Sequence, residues 1–469
     1  SSGFSFDQTV AIVGTTITGQ TVDLNSLTLT GGGLSAASTN AVLTVTGSTN
    51  VEIDTLDATG LASDLVITNL DTGSAAAITM GATGNKITIA LADAARDAVD
   101  IDGGDGADTL VFATGMTTGT FRPGATNIET LDVSAAATSG GATTLHLGDA
   151  TSVTAVELNL NGDDTDITVA GASNVTSYKL AGAMAATADV VTLGSSSTLT
   201  INNEAQVGST DLNLVTPDAT TLTIKQGHSS ATDFHTITAA KATTMNLGGT
   251  DADTAGTQYA GGLEATTVDA GELVTLNIDS NQGARTINTL TAAKLTTLNI
   301  VGDNAVSVGA TGATTTLLGT IDASTSSGGV TIAGNVDLTS TANVTLGTAA
   351  DTLTLDILTE SNVVVNAGEH ATTDTGVNDT LALAGANNQG LPVVDLSSTT
   401  DQVTQINGAV NTAAITNFEN ITLSGLTGSQ TASVTGSDEA NVIIGTANAD
   451  TILGGKGADI ITMGDGVDT

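Results

Sequence analysis

The stretch Thr236-Ile237-Thr238-Ala239-Ala240-Lys241-Ala242-Thr243-Thr244-Met245-Asn246-Leu247 returns as Thr289-Leu290-Thr291-Ala292-Ala293-Lys294-Leu295-Thr296-Thr297-Leu298-Asn299-Ile300. Each copy holds two short alternating apolar segments separated by Ala-Ala-Lys. Alternation of period two marks a strand with one buried face. Related endings recur at Leu131-Asp132-Val133, Leu158-Asn159-Leu160, Leu222-Thr223-Ile224, Leu276-Asn277-Ile278 and Ile421-Thr422-Leu423. The central ones return every 20 to 30 residues or so, roughly the length of one solenoid coil. A single coil cannot bury its apolar face, so neighbours must stack. Equivalent strands then align in parallel, and inward Leu, Ile and Val form ladders. The expected fold is all-β, made of parallel β-solenoid or β-helix-like repeats. A set of β-sandwiches is the alternative, but sandwiches carry more aromatics and hairpin turns than this chain does.

Composition agrees with a thin, repetitive core. The 469 residues include 55 Gly, 3 Pro, no Cys and no Trp, with 2% aromatic and 12% charged. A typical domain is about a quarter charged. Hydrophobic residues still make up 40%, mostly Ala, Val, Leu and Ile, enough to fold. Thr fills much of the remainder and suits a half-buried pleated surface. The length permits one to three domains, or a single rod lengthened coil by coil. Three regions are expected: 1–122 with one glycine-aspartate turn, 123–430 with the repeats, and 431–469 with a nonapeptide block. One helix candidate, Ala90 to Asp100, competes with a loop reading.

The chain has 49 acidic and 9 basic residues, for a formal charge of −40. That excludes a basic patch for nucleic acid and disfavours anionic lipid. Self-repulsion of this size opposes compaction. The natural remedy is Ca²⁺, a hard cation bound by carboxylates and carbonyls. Absence of Cys removes disulfides, zinc fingers and thiol catalysis. No run of about 18 apolar residues forms a transmembrane segment. Ser1-Ser2-Gly3 shows no signal peptide, and the last repeat is cut short, so the chain reads as a fragment of a longer protein.

From Gly436 the sequence falls into nines. Gly436-Ser437-Asp438-Glu439-Ala440-Asn441-Val442-Ile443-Ile444 leads into Gly445-Thr446-Ala447-Asn448-Ala449-Asp450-Thr451-Ile452-Leu453. Gly454-Gly455-Lys456-Gly457-Ala458-Asp459-Ile460-Ile461-Thr462 follows, and then a partial repeat with Gly464, Gly466 and Asp468. Sixth positions are Asn441, Asp450, Asp459 and Asp468; eighth positions are Ile443, Ile452 and Ile461. This block resembles the RTX nonapeptide family, Gly-Gly-x-Gly-x-Asp-x-apolar-x. The resemblance implies a C-terminal RTX calcium β-roll. In it, Ca²⁺ sits between stacked turns, held by turn carbonyls and sixth-position carboxylates. Two nonapeptides make a coil, so Asn441 should face Asp459, and Asp450 should face Asp468. Gly454, Gly455, Gly457, Gly464 and Gly466 supply the turn backbone. The first repeat departs from the pattern, with Asn at position six. Calcium-free glycine-aspartate turns are the alternative.

A second match is Gly103-Gly104-Asp105-Gly106-Ala107-Asp108-Thr109-Leu110-Val111. The residues before it lack glycines, and Asp97, Asp100 and Asp102 are the candidates to complete a site. It is not an EF-hand, because Gly104 and Asp105 are reversed for that loop. Weaker acidic groups are Asp163-Asp164-Thr165-Asp166, Asp251-Ala252-Asp253, and Glu369-His370 with Asp374 and Asp379. Solvated loops explain these as readily as a metal does. His146, His228, His235 and His370 are scattered, and no nucleophile elbow, zinc helix or phosphate loop is present.

Thr/Ala/Gly/Asn-rich β-repeats ending in such nonapeptides resemble the surface-layer proteins of Gram-negative bacteria. The nonapeptides cover only the last few tens of residues; the rest of the likeness is compositional. The resemblance implies type I secretion, calcium-triggered folding outside the cell and self-assembly into a two-dimensional lattice on the cell surface. It also implies contact with outer-membrane lipopolysaccharide through an anchor not identified in these residues. The alternative is a segment of a large RTX adhesin or biofilm matrix protein. A β-helix enzyme acting on polysaccharide comes last, since the chain is poor in aromatic and basic residues.

Overall fold

Before residue 99, a computed structural model describes segments 7–11, 16–18, 22–24, 26–30, 43–46, 51–53, 55–60, 65–67, 70–71, 76–81 and 86–89. Beyond that it describes 99–112, 119–133, 143–160, 166–184, 190–203, 206–207, 212–226, 232–249, 262–309, 318–336, 338–356, 362–368, 378–386, 392–406, 409–428 and 431–469. The described residues form an all-β, parallel β-solenoid of short strands and turns. They include no helix, and so none long and apolar enough to cross a membrane. Of the helix candidate, residues 90–98 lie outside the described residues. Val99 and Asp100 open the strand Val99–Asp102.

Two compact units are present, Ser1–Thr220 and Thr221–Thr469. Parallel pairing runs through both borders expected from the sequence. Val99–Asp102 pairs with Gly124–Thr126, and Asn420–Thr427 pairs with Val442–Ile444.

In the first unit, one ladder runs through Thr109–Phe112, Thr130–Val133, Ala155–Asn159, Ser177–Ala181 and Thr198–Asn203, all parallel. A second face stacks Gly119–Phe121, Thr143–His146, Ile167–Ala170, Val190–Leu193 and Leu212–Val215. Inward Leu110, Leu131, Val156, Tyr178 and Ile201 meet in register and are fully buried. Tyr178 is the large rung among them, and its hydroxyl donates to the Gly194 carbonyl. Burial pushes that phenol's pKa up, so it stays a neutral donor.

The second unit has the same plan. Leu222, Met245, Leu276, Leu298, Ile321, Val344, Val365 and Ile415 form one inward column, each at most 1% exposed. The opposing column starts at Phe234, passes Ala265, Ile287, Val308, Ile332, Leu353, Leu381 and Ile421, and ends in Ile443 and Ile461. Two of the eighth-position isoleucines, Ile443 and Ile461, are thus the last rungs of a ladder that begins long before them, while Ile452 ends the separate column through Val394 and Val434. Parallel strands need a crossover between every pair, and here the coil itself is the crossover.

The corners explain why the quoted phrase repeats. Ala242 N–H donates to the Ala239 carbonyl, and Leu295 N–H to the Ala292 carbonyl. The same one-turn corner joins Ala270 to Leu273, Ala150 to Val153 and Ala172 to Val175. Every one of these residues is buried. Ala opens all five corners, and Ala, Leu or Val closes them, so each corner turns on buried apolar side chains.

An irregularity falls outside the expected pattern. Val393–Asp395 pairs antiparallel with Val403–Ile406, which pairs antiparallel with Ala409–Val410. Val393–Asp395 then starts a parallel column through Ser433–Thr435 to Thr451–Leu453. The buried Gln402 ties this insertion to the solenoid. Its amide donates to the Leu396 and Phe418 carbonyls and accepts the Phe418 N–H.

Candidate metal centre

The nonapeptide turns stack as the spacing required. Val442 pairs with Ile460, and Ser433 with Thr451. Asn441 N–H donates to Asp459 Oδ1, and Asp450 N–H to Asp468 Oδ1, each across 18 residues. Gly455 and Gly464 show why position two is glycine. Their φ values are +90° and +96°. A Cβ there would sit 2.1 Å from the Ser437 oxygen and 1.8 Å from the Thr446 oxygen, one coil earlier. Positive φ and backbone contact between turns exclude any side chain.

The four sixth-position residues do not share one role. Asp450 is 2% exposed. Its Oδ1 accepts the Ala432 N–H, its Oδ2 accepts the Thr446 N–H, and the Thr446 hydroxyl reaches both. Asn441 is equally buried, but its surroundings have the opposite polarity on one side. Its Oδ1 accepts the Ser437 N–H, while its Nδ2 donates to the Glu419 carbonyl. An amide is required where a carbonyl faces the site, and a carboxylate where two N–H groups do. This explains the Asn in the first repeat. Exchanging them should therefore destabilise in both directions: Asn441→Asp sets a carboxylate oxygen against the Glu419 carbonyl, and Asp450→Asn keeps one acceptor but turns an NH₂ toward the other N–H. Each should cost about 1–3 kcal/mol, read as faster local hydrogen exchange. A cost at only one of the two sites would contradict this account.

Asp459 and Asp468 are half-buried, and each gives one oxygen to the preceding coil's amide. Asp459 Oδ2 points at the inner side of Gly454, 2.6 Å from where a Cβ would stand. Carboxylate oxygens beside glycine-turn carbonyls form a hard, all-oxygen donor set, the kind that suits Ca²⁺. Among the described residues no three acidic or histidine side chains converge into a metal cage. Any ion at these turns would thus depend on backbone carbonyls. Lys456, at a variable turn position, forms an exposed ion pair with Asp438, which is worth little by itself.

At the earlier motif, the stacking partners differ from those expected. Asp97 lies outside the described residues. Asp100 is exposed on the strand Val99–Asp102. Gly103 and Gly104 instead abut the backbone of Asn127 and of Gly81. Coils here are longer than eighteen residues, so the facing turn comes a full coil later. Asp102 Oδ1 accepts the Gly104 N–H and the Asn127 Nδ2. Asp108 is fully buried, and its N–H donates to Glu129 Oε2. Asp105 and Gly106 are exposed. Asp100, Asp102 and Asp149 line a cavity of about 260 Å³.

This corner occurs twice. Asn366 Oδ1 accepts the Gly368 N–H and the Asn417 Nδ2, and Asp379 N–H donates to Glu419 Oε2. Asn127 and Asn417 both adopt positive φ, 54° and 66°. The likeness of Thr126-Asn127-Ile128-Glu129 to Thr416-Asn417-Phe418-Glu419 is thus a shared corner. From it a column extends that spacing does not reveal. Val330 N–H donates to Asp351 Oδ1, and Asp351 N–H to Asp379 Oδ1. Asp379 then donates to Glu419, whose carbonyl receives Asn441. Asp351 and Asp379 are at most 1% exposed. They close coils by accepting amides.

Of the weaker acidic groups, Asp166 accepts the Val190 N–H and Asp379 belongs to this column. Residues 163–165, 251–253, 369, 370 and 374 lie outside the described residues, as does His228. His146 accepts the Gly148 N–H on Nδ1, and His235 is exposed.

Fold and corners together define a parallel β-solenoid whose turns are closed by glycine and tied coil to coil by carboxylates. Set against family models, curated proteins and solved structures, the chain matches none.

Proposed function

We propose that this is a structural protein of a bacterial surface layer, secreted and assembled into a calcium-dependent two-dimensional lattice, with no catalytic role. The observation that carries the reading is the registered stacking of glycine turns, with Asp459 and Asp468 presented at their rims. Asp459 and Asp468, with the carbonyls of their own and the preceding turns, would hold Ca²⁺. The bound ion supplies positive charge that offsets the carboxylates and couples turn to turn. Asp450 and Asn441 set the turn geometry from the buried side. Ordering of the turns is thereby linked to folding free energy. A solenoid suits a coat, because its length is set by coil number and its long faces stay available for contacts. A type I secreted chain of a Gram-negative bacterium, held to lipopolysaccharide by an anchor elsewhere, is the setting this reading implies.

Electron microscopy of the purified chain tests it. Millimolar calcium should give ordered sheets, and chelator should disperse them and lower the β signal in circular dichroism. Asp459→Ala should raise the calcium concentration needed. Ion-dependent folding without sheets would favour the adhesin segment. Unchanged structure and assembly in chelator would refute the calcium dependence.

A further inference from the structure

We infer that the outer face of the ladder from Thr221–Gln226 to Ala414–Thr416 is a contact between two copies of this chain. The inference rests on the assembly reading and names the surface responsible.

Two rows of outward side chains run across this face. Thr221, Thr244, Thr275 and Thr297 form one row in register. The other begins at Thr223 and continues through Asn246, Asn277 and Asn299. Asn246 donates to the Thr223 hydroxyl, Asn277 to Asn246, and Asn299 to Asn277, across 23, 31 and 22 residues. Coils of unequal length thus deliver one amide to the same place each time. Within the ladder each Asn spends one N–H, and Asn246 and Asn277 also spend one lone pair. A second N–H and lone pair per amide remain to meet a facing surface.

The two rows continue over four more strands, and Asp322 is the one charged residue in them. For a chain of net charge −40 this is a selective absence. Equivalent outward positions in the first unit hold Asp132, Glu157 and Lys179. The other face of the second unit shows Glu264 and Asp269. Val364, about two-fifths exposed, lies in the first row, and Val301 stands opposite Asp279 in a third outward row that, with Lys225, marks the charged edge of the face. The ion pair Lys294–Glu272 sits in the corners beside it. An uncharged centre with charge at the rim is the anatomy of a protein interface.

Charge also selects the occupant. Two copies this acidic repel everywhere else, so a neutral face is where they can meet. Eight strands about 4.8 Å apart, each about four residues long with two of them facing out, present about 500 Å² per copy. Two copies would bury about 1,000 Å², the lower end for a specific contact. That suits a contact multiplied across a lattice. Asn ladders are known to pack as dry zippers between sheets.

The test is assembly in calcium of the full chain carrying Thr275→Glu and Thr297→Glu. A control carries Thr286→Glu and Thr331→Glu, at half-buried outward positions of the other face. The face variant should lose ordered sheets and need at least a tenfold higher concentration to self-associate, with unchanged circular dichroism. The control should assemble normally. Mixing Thr275→Glu chains with Thr275→Lys chains should restore sheets, a rescue that structural damage would not allow. Normal assembly of the face variant, or equal loss in the control, overturns this inference alone. A wild-type chain that stays monomeric in calcium removes the assembly reading and this face with it.

Discussion

Asp351→Ala should open the solenoid locally at the coil holding Val330 and Gly347. Both Asp351 oxygens are committed: Oδ1 accepts the Val330 N–H at 2.7 Å and Oδ2 the Gly347 N–H at 2.9 Å. Val330, Gly347 and Asp351 are all buried. Alanine leaves two buried donors without acceptors, at about 1–3 kcal/mol each. Hydrogen exchange at those amides should quicken about 5- to 150-fold per lost bond, since each 1.4 kcal/mol is about tenfold. Asp351→Asn keeps one acceptor and turns an NH₂ toward the other N–H, so it should fall between wild type and alanine. Local exchange is the right probe, because a stacked-coil protein opens in neighbouring units. If asparagine matched wild type, the carboxylate would not be the group that closes this corner.

Arg285→Ala should weaken the coils around it by about 1–3 kcal/mol for each stranded carbonyl, with a further loss for the cavity it leaves. The arginine is 1% exposed and stands in an inward position between Leu263 and Val306. Its Nε donates to the Asp279 carbonyl and its Nη1 to the Ala284 carbonyl. Burial pulls the guanidinium pKa down, and the nearby Asp279 charge opposes that. Gly248 makes the space: a Cβ there would lie 2.0 Å from the Asp279 oxygen and 3.1 Å from Nε. Arg285→Met should cost less than alanine, because it refills the volume and strands only the carbonyls. Chemical denaturation with exchange at 263–306 reads both. Alanine and methionine costing the same would mean that volume plays no part.

Alternation at Thr236–Leu247 and Thr289–Ile300 was enough to place strands, buried faces and parallel stacking. Period and turn chemistry are local properties, and every coil repeats them. Nonapeptide spacing likewise placed Asn441 over Asp459 and Asp450 over Asp468, because a strict repeat converts residue number into position. The unequal parts were not legible. Asp351, Asp379 and Glu419 stand 28 and 40 residues apart, so no period links them. Asn407-Gly408, between Val403–Ile406 and Ala409–Val410, is a local hairpin signal that the repeat reading passed over, whereas the antiparallel pairing of Val393–Asp395 with Val403–Ile406 carries no such sign.

The sequence by itself determined that this chain is all-β, stacked in parallel, acidic and turned on glycine. Those features depend on side-chain chemistry a few residues apart. Only the tertiary structure decided which carboxylates are buried as amide acceptors and which stand at the rims. It also decided which outward rows are uncharged. These are properties of neighbours one coil away, and coil lengths that vary along the chain move such neighbours to sequence distances no local pattern encodes.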